Sequence, residues 1–332
     1  MAELMPQLNG MGLTSIKHIH GQEIEARALK AIEKQGKLTL RVAIAWTYKS
    51  PLNPQPVEEQ NAAIAGRMQW ASDLIDPNYV KMNIDGIPTA TGAMLEPYVG
   101  SKSLGLNFFD ANSLAEEIIR FDPDISGLVF HTVGDRGARL VLDALDMAKK
   151  KLGGLRGRTQ LAHAIFIDQA DIPRLKKVDM TAEFSPIMWF EGGMNTIVWP
   201  MVGPERAAKQ LPMRDVADAG GRVVIGSDGP IFMQTPLASF ETAVTRLPPD
   251  GGAKSPSAAQ ALTLAEAIAA RTINSAYLNN SEDKVGSIEV GKLADLVVID
   301  RDLFAIPIEQ VSEAKVLLTV LGGKEVFKAN GM

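Results

Sequence analysis

Short apolar runs alternate with stretches of helical periodicity along most of this chain. Residues 13–20 alternate and carry β-branched side chains, which predicts a strand ended by Gly21. In residues 22–34, Ile24, Ala28, Ala31 and Ile32 recur at helical spacing, and Gly36 is placed to stop the helix. Residues 37–46 read as the next strand, Pro51, Pro54 and Pro56 impose a loop, residues 58–75 predict a helix and residues 79–85 a third strand. Residues 87–107 form a long connection of the kind that carries substrate contacts at a barrel rim.

The alternation then resumes. Helix 111–120 precedes strand 125–131, and helix 136–151 precedes strand 160–163. Helix 169–177, opened by Asp168 or Asp171, leads to strand 181–185; a helix closing over 214–219 leads to strand 222–226, and helix 237–246 follows. Helix 136–151 has one apolar face formed by Leu140, Val141, Ala144, Leu145 and Ala148, with Asp135 read as its N-cap. Its last turn carries Lys149, Lys150 and Lys151, which suit the negative end of the helix dipole. Seven strands, each followed by a helical stretch, predict an α/β fold of the (β/α)8 TIM-barrel type, incomplete by one β/α unit.

Beyond Gly251 and Gly252 the pattern changes. A helix is predicted over 263–277, then strands over 287–289, 296–300, 316–320 and 324–328 with no helices between them. The chain thus divides into a barrel over 1–280 and a small β unit over 281–332.

Composition narrows the chemistry. With 332 residues and 46% hydrophobic content, the chain can bury one large core plus a small accessory unit. The net charge of -5 is spread without a basic run, so neither nucleic acid nor a membrane surface is an expected partner, and a small-molecule substrate is. The absence of cysteine excludes disulfides, thiolate metal sites and a cysteine nucleophile, leaving imidazole, carboxylate or a lysine derivative to hold any metal. No stretch approaches the roughly 20 apolar residues of a membrane span, and residues 1–12 lack a basic segment followed by an apolar core, so a cytoplasmic location is expected.

Four polar residues stand at strand ends. Lys81, Asn83 and Asp85 alternate with Val80, Met82 and Ile84, which puts a lysine, an amide and a carboxylate on one face. The plain reading is a lysine paired with Asp85 or snorkelling to solvent; the sharper one is a carboxylated lysine whose carbamate bridges two divalent ions. His131 and His163 each end an apolar run followed by a helix, the rim position of a parallel barrel, and two such histidines on consecutive strands read as metal ligands. Asp228 precedes Gly229-Pro230 after the last apolar strand, as a turn residue or as a ligand or general base at the same rim. Trp189 and Phe190 either line a substrate pocket or pack. Gly10-Met11-Gly12 lacks a preceding strand and the full dinucleotide fingerprint, and no Gly-x-Ser-x-Gly elbow is present.

In order, Lys81-Met-Asn-Ile-Asp85-Gly86, Phe130-His131-Thr-Val-Gly-Asp135-Arg136, Leu161-Ala162-His163-Ala164, Gly226-Ser227-Asp228-Gly-Pro230 and Gly286-Ser287-Ile288-Glu289-Val290-Gly291-Lys292-Leu-Ala294-Asp295-Leu296-Val-Val-Ile-Asp300 resemble the metal-dependent amidohydrolase superfamily, most of all its N-substituted formamide deformylase-like branch. The resemblance covers nearly the whole chain, and the stretch 286–300 is its most distinctive part. It implies that the C-terminal strands belong to a β-sandwich flanking the barrel. It further implies hydrolysis of C–N bonds in amide-type substrates by a metal-activated water. The implied cofactors are a divalent metal, zinc, and a carbon dioxide-derived carbamate on Lys81. Lys81 would bridge two metals, His131 and His163 would bind the second, and Asp228 would bind the first and shuttle the proton.

The family's first barrel strand ends in a His-x-His pair. Here residues 12–16 resemble the second strand, so His18-Ile19-His20 has the right spelling out of register, with a minor chance of supplying a ligand, and the chain is expected to begin after the first strand. Lys81, His131 and His163 would still make a three-ligand site with an open position. The alternative is a truncated, non-catalytic remnant or subunit. A barrel one strand short exposes two edges and a core seam, so a homo-oligomer or association with a missing N-terminal segment is expected, or else marginal folding.

Overall fold

Seven period-two runs become parallel strands: β1 (Ser15–Gly21), β2 (Arg41–Tyr48), β3 (Ile75–Asn83), β4 (Gly127–Thr132), β5 (Arg158–His163), β6 (Met180–Phe184) and β7 (Arg222–Ile225). They pair in chain order in a single sheet. The structure, a computed structural model, describes residues 3–185, 189–190, 192–229, 234–248 and 251–331. The helices are α1 (Leu4–Gly10), α2 (Glu23–Lys34), α3 (Val57–Ala65), α4 (Ala111–Phe121), α5 (Asp135–Leu152) and α6 (Ile172–Val178), followed by α7 (Asn195–Val202), α8 (Pro204–Ala207) and α9 (Met213–Asp218). After β7 come α10 (Pro236–Thr245), α11 (Leu264–Arg271) and α12 (Ile273–Leu278). A helix between consecutive parallel strands is what crossover geometry requires.

Alternation along the strands divides their side chains between two cores. Val42, Ile44, Trp46, Val80, Met82, Leu128 and Phe130 join a large apolar core shared with the helices. On the other face Ala43, Ala45, Tyr79, Val129 and Ala162, with Ile19 against them, form a separate small cluster. Across that second face the Lys17 amine of β1 reaches Oε1 of Gln160 on β5 at 3.4 Å. The sheet therefore curls until strands four apart in order face one another, and small side chains fill the tight interior.

Several local expectations are corrected. The helix expected over 58–75 stops at Ala65, and Ile75 already begins β3 with its side chain buried. The helix expected over 263–277 is two helices broken at Thr272 (φ -116°, ψ -96°), where Asn274 Nδ2 donates to the Val223 carbonyl at 2.9 Å and ties α12 to β7. Gly134, not Asp135, is the N-cap of α5; Asp135 accepts from the Leu95 backbone N–H at 2.7 Å. Asp171 stands at the N-cap of α6 as expected, but neither its side chain nor that of Asp168 makes a capping bond. Both instead bind Arg139 of α5, at 2.9 and 2.7 Å. Helix α1 has too few turns to show a period, and it was not expected.

The C-terminal strands β8 (Leu296–Ile299), β9 (Val316–Leu321) and β10 (Lys324–Lys328) form an antiparallel sheet in the order β10-β9-β8. No strand forms over 287–289, because Ile288 and Val290, 89% and 109% exposed, have nothing to pair with or pack on. This sheet is joined to the start of the chain: Thr319 Oγ1 donates to the Asn9 carbonyl at 2.7 Å, and Arg41 binds Asp295 at 2.7 Å. Among the described residues, no helix is long and apolar enough to cross a membrane.

Candidate metal centre

Lys81 lies on the interior face near the end of β3, paired in register with Thr47 and Val129, and is 6% exposed. Burial lowers its pKa from the ordinary lysine value, against the attraction of Asp228 and Glu183, so the amine is biased toward its neutral, nucleophilic form. Among the described residues, no hydrogen bond contributes to that balance. Pairing with Asp85 is not what the structure shows. The Asp85 carboxylate accepts instead from the backbone N–H groups of Ala93, Val133 and Gly134 at 2.9, 2.9 and 2.7 Å. It thereby ties the connection after β3 to the end of β4, while burial still pushes its pKa up to about 7.

His131 is the neighbour of Asn83 in register. Its Nε2–H donates to the Gly86 carbonyl at 3.0 Å, which fixes the tautomer and leaves the Nδ1 lone pair for a ligand. Strict alternation would turn His163 to the face opposite Ala162. At the end of β5, however, His163 has φ +70° and Ala164 φ +42°, and the left-handed turn brings its ring edge-on to His131 with centroids 4.7 Å apart at 74°. Burial, with lesser repulsion from Lys81 and, for His131, from His163, lowers both pKa values to about 3. Both imidazoles are therefore neutral near pH 7, the form that binds a metal.

Asp228 also has a left-handed backbone, φ +52°, and its charge reaches Lys81 and His131. Pro230 of the same turn lies outside the described residues. Non-glycine residues in this region carry about 1–3 kcal/mol of strain, and such outliers gather at functional sites. Two of the four predicted ligands are among them.

The chain-order reading missed Glu183. This β6 carboxylate, 5% exposed, accepts from the His163 backbone N–H at 3.1 Å and from Ser185 Oγ at 3.0 Å. It lies so close to β7 that a Cβ on Gly226 would sit 2.0 Å from its Oε1. Glu183 thus bridges the strand ends that carry His163 and Asp228. Burial raises its pKa, and it neighbours the half-buried Arg271, whose Nη2 donates to the Gly226 carbonyl at 3.2 Å. Its signal was available in the alternation of Met180-Thr-Ala-Glu-Phe184, where a carboxylate stands at an interior position.

His18 and His20 lie on β1 across a register shift between His18 and Gly21. Burial lowers both pKa values, the Lys81 charge reaches both, and His18 Nε2 is buried without a hydrogen-bond partner. Trp189 is fully buried in the large core and Phe190 packs against it. Two cavities of about 370 and 380 Å³ lie around Asp179 and Arg222 and around Glu96 and Arg206, away from these ligands.

Among the described residues, no group of three or more His, Cys, Asp or Glu side chains is arranged to hold a metal ion. A metal fits only if Lys81 joins the ligand set. The donor chemistry suits that: two neutral imidazoles in contact, a desolvated amine beside them and a carboxylate within electrostatic reach.

The sequence profile of the amidohydrolase family matches residues 1–327. The chain belongs to the amidohydrolase family. This amidohydrolase-family chain is 27% identical over 252 residues to Protein LONG AFTER FAR-RED 3 of Arabidopsis thaliana, covering 75% of this chain and 42% of that protein. It is 28% identical over 228 residues to the N-substituted formamide deformylase of Arthrobacter pascens, covering 69% of this chain and 41% of that one. It spans less than half the length of these relatives. Its fold matches that of an uncharacterized metal-dependent hydrolase from Pyrococcus horikoshii OT3, with a TM-score of 0.74 and 22% identity over 92% of this chain and 60% of the other.

Proposed function

We propose that the C-terminal rim of the sheet is a metal-dependent hydrolytic centre that cleaves C–N bonds of small amide-type substrates. The observation that best supports this reading is the buried Lys81 amine, biased toward neutrality, beside two neutral imidazoles and in reach of Asp228. A neutral amine adds carbon dioxide: the Nζ–C bond forms, a proton leaves, and the carbamate presents oxygens where Lys81 alone offers one nitrogen. Lys81 so modified, with His131, His163 and Asp228, would hold a divalent metal, and zinc suits that mixture of nitrogen and oxygen donors.

Bound there, the metal supplies a water of lowered pKa and polarises the scissile carbonyl. The chain's own residues do the rest. The Asp228 carboxylate takes the proton of the attacking water and returns it to the leaving nitrogen. Gly86 orients His131, and Glu183 holds the backbone of His163. The amide-type bond is supported by the likeness to an N-substituted formamide deformylase. A closed eight-stranded barrel belongs to the same reading, with a strand from an N-terminal segment or a second copy between β7 and β1. So do the flanking β-sandwich and a cytoplasmic location.

A second reading, a non-catalytic remnant or subunit, is favoured by the need for Lys81 to complete any three-ligand set. Metal analysis and turnover separate the two. Protein purified with zinc and bicarbonate is expected to bind zinc and hydrolyse N-substituted formamides or other N-acyl amides, and His163→Ala is expected to lose both. A parent protein with neither bound metal nor turnover supports the remnant.

A further inference from the structure

Arg246 ends α10 with a left-handed backbone, φ +56°, and its side chain is completely buried. Its Nη2 donates to Ser257 Oγ at 2.6 Å, and Ser257 in turn shares a 3.0 Å hydrogen bond with Ser255. Among the described residues, its Nε and Nη1 have no partner. The guanidinium lies 5.7 Å from the ring of Trp189, whose indole N–H is likewise buried and without a partner. Among the described residues, no carboxylate influences Arg246.

A guanidinium buried with no counter-ion among the described residues is costly, and two of its N–H groups and the nearby indole N–H, all buried without an acceptor there, define the missing partner by chemistry. The partner must be anionic, compact and rich in acceptor oxygens. We propose that Arg246 and Trp189, with the Ser257 hydroxyl beside them, bind an oxyanion: the carboxylate or phosphate group of a small-molecule ligand. The exposed stretch 251–254, turning through Gly251 at φ +80°, leads directly into the two serines and offers an approach from solvent. This site uses none of the rim ligands.

The test reads binding without turnover, so its outcome is independent of the hydrolytic reading. Thermal unfolding is followed for the parent and Arg246→Met in sodium acetate, inorganic phosphate and chloride at matched ionic strength. Acetate or phosphate is expected to raise the parent midpoint by about 3 °C or more at saturation, relative to chloride, and to leave Arg246→Met unchanged. A response to acetate alone identifies a carboxylate site, and one to phosphate alone a phosphate site. No response in the parent, or an equal response in the variant, overturns the proposal. If Arg246→Met does not fold, Trp189→Phe keeps the ring and removes one donor; calorimetric titration is then expected to show about tenfold weaker binding, and unchanged binding overturns the proposal.

Discussion

Lys81 and Lys17 both point into the interior of the curled sheet, from opposite ends of its strands, and their surroundings differ in kind. The direct partners of the Lys17 amine are neutral: it donates to the Leu278 carbonyl at 3.2 Å and to Gln160 Oε1 at 3.4 Å, and it stands over the Tyr79 ring at 4.3 Å from the centroid. Burial lowers its pKa to about 7, with Asp76 and Glu183 opposing the shift and Arg158 adding to it. Lys81, 6% exposed where Lys17 is half-buried, makes no hydrogen bond among the described residues and stands beside imidazoles that can take a ligand. Burial alone therefore does not mark a reactive lysine. An amine left without hydrogen-bond partners beside imidazoles does.

The most severe test of that contrast is Lys81→Met. If Lys81 completes the ligand set, kcat/KM is expected to fall by about 10⁴-fold or more, with zinc content lost and far-UV circular dichroism unchanged. Retained activity would collapse the distinction between the two lysines. Next in size, Asp228→Asn keeps shape and removes the proton acceptor, so kcat is expected to drop by about 10²- to 10⁴-fold. Steady-state kinetics with KM measured separately checks it.

Gly226→Ala probes the bridge between the strand ends. The new Cβ collides with Glu183, and a loss of about 1–3 kcal/mol in urea unfolding is expected together with reduced turnover. The smallest effect belongs to Lys17→Met, which is expected to leave kcat/KM unaltered. Between pH 7 and 10.5 the unfolded Lys17 stays protonated while the folded one does not, so its contribution makes parent stability rise with pH in that window. Urea midpoints at pH 7 and 10 should show a flatter dependence in the variant.

Much of this arrangement was legible along the chain, because period-two alternation carries it. Lys81 and His131 occupy interior positions that alternation predicts, and the seven strands follow in the order in which they pair. His163 was legible only as a strand end, since its direction depends on a left-handed turn that no spacing encodes. Glu183 escaped because its strand is short and buried on both faces, which hides the period. Ile288 and Val290 misled in the opposite sense: β-branched residues make a strand only where another strand is there to pair, and here they remain in solvent. The guanidinium of Arg246 was silent for a similar reason, because one arginine at a helix end says nothing about what it will lack once buried.

The junction between α1 and the C-terminal sheet has a kinetic consequence. Asn9 and Thr319 bond across 310 residues of intervening chain. During synthesis at about 5–20 residues per second, the first helix waits roughly 15–60 s before its partner exists. Throughout that interval the face of α1 that will meet β9 and β10 is uncovered. Synthesis of β9 and β10 thus decides when α1 is shielded, and a chaperone that binds the nascent chain would find α1 uncovered throughout that interval.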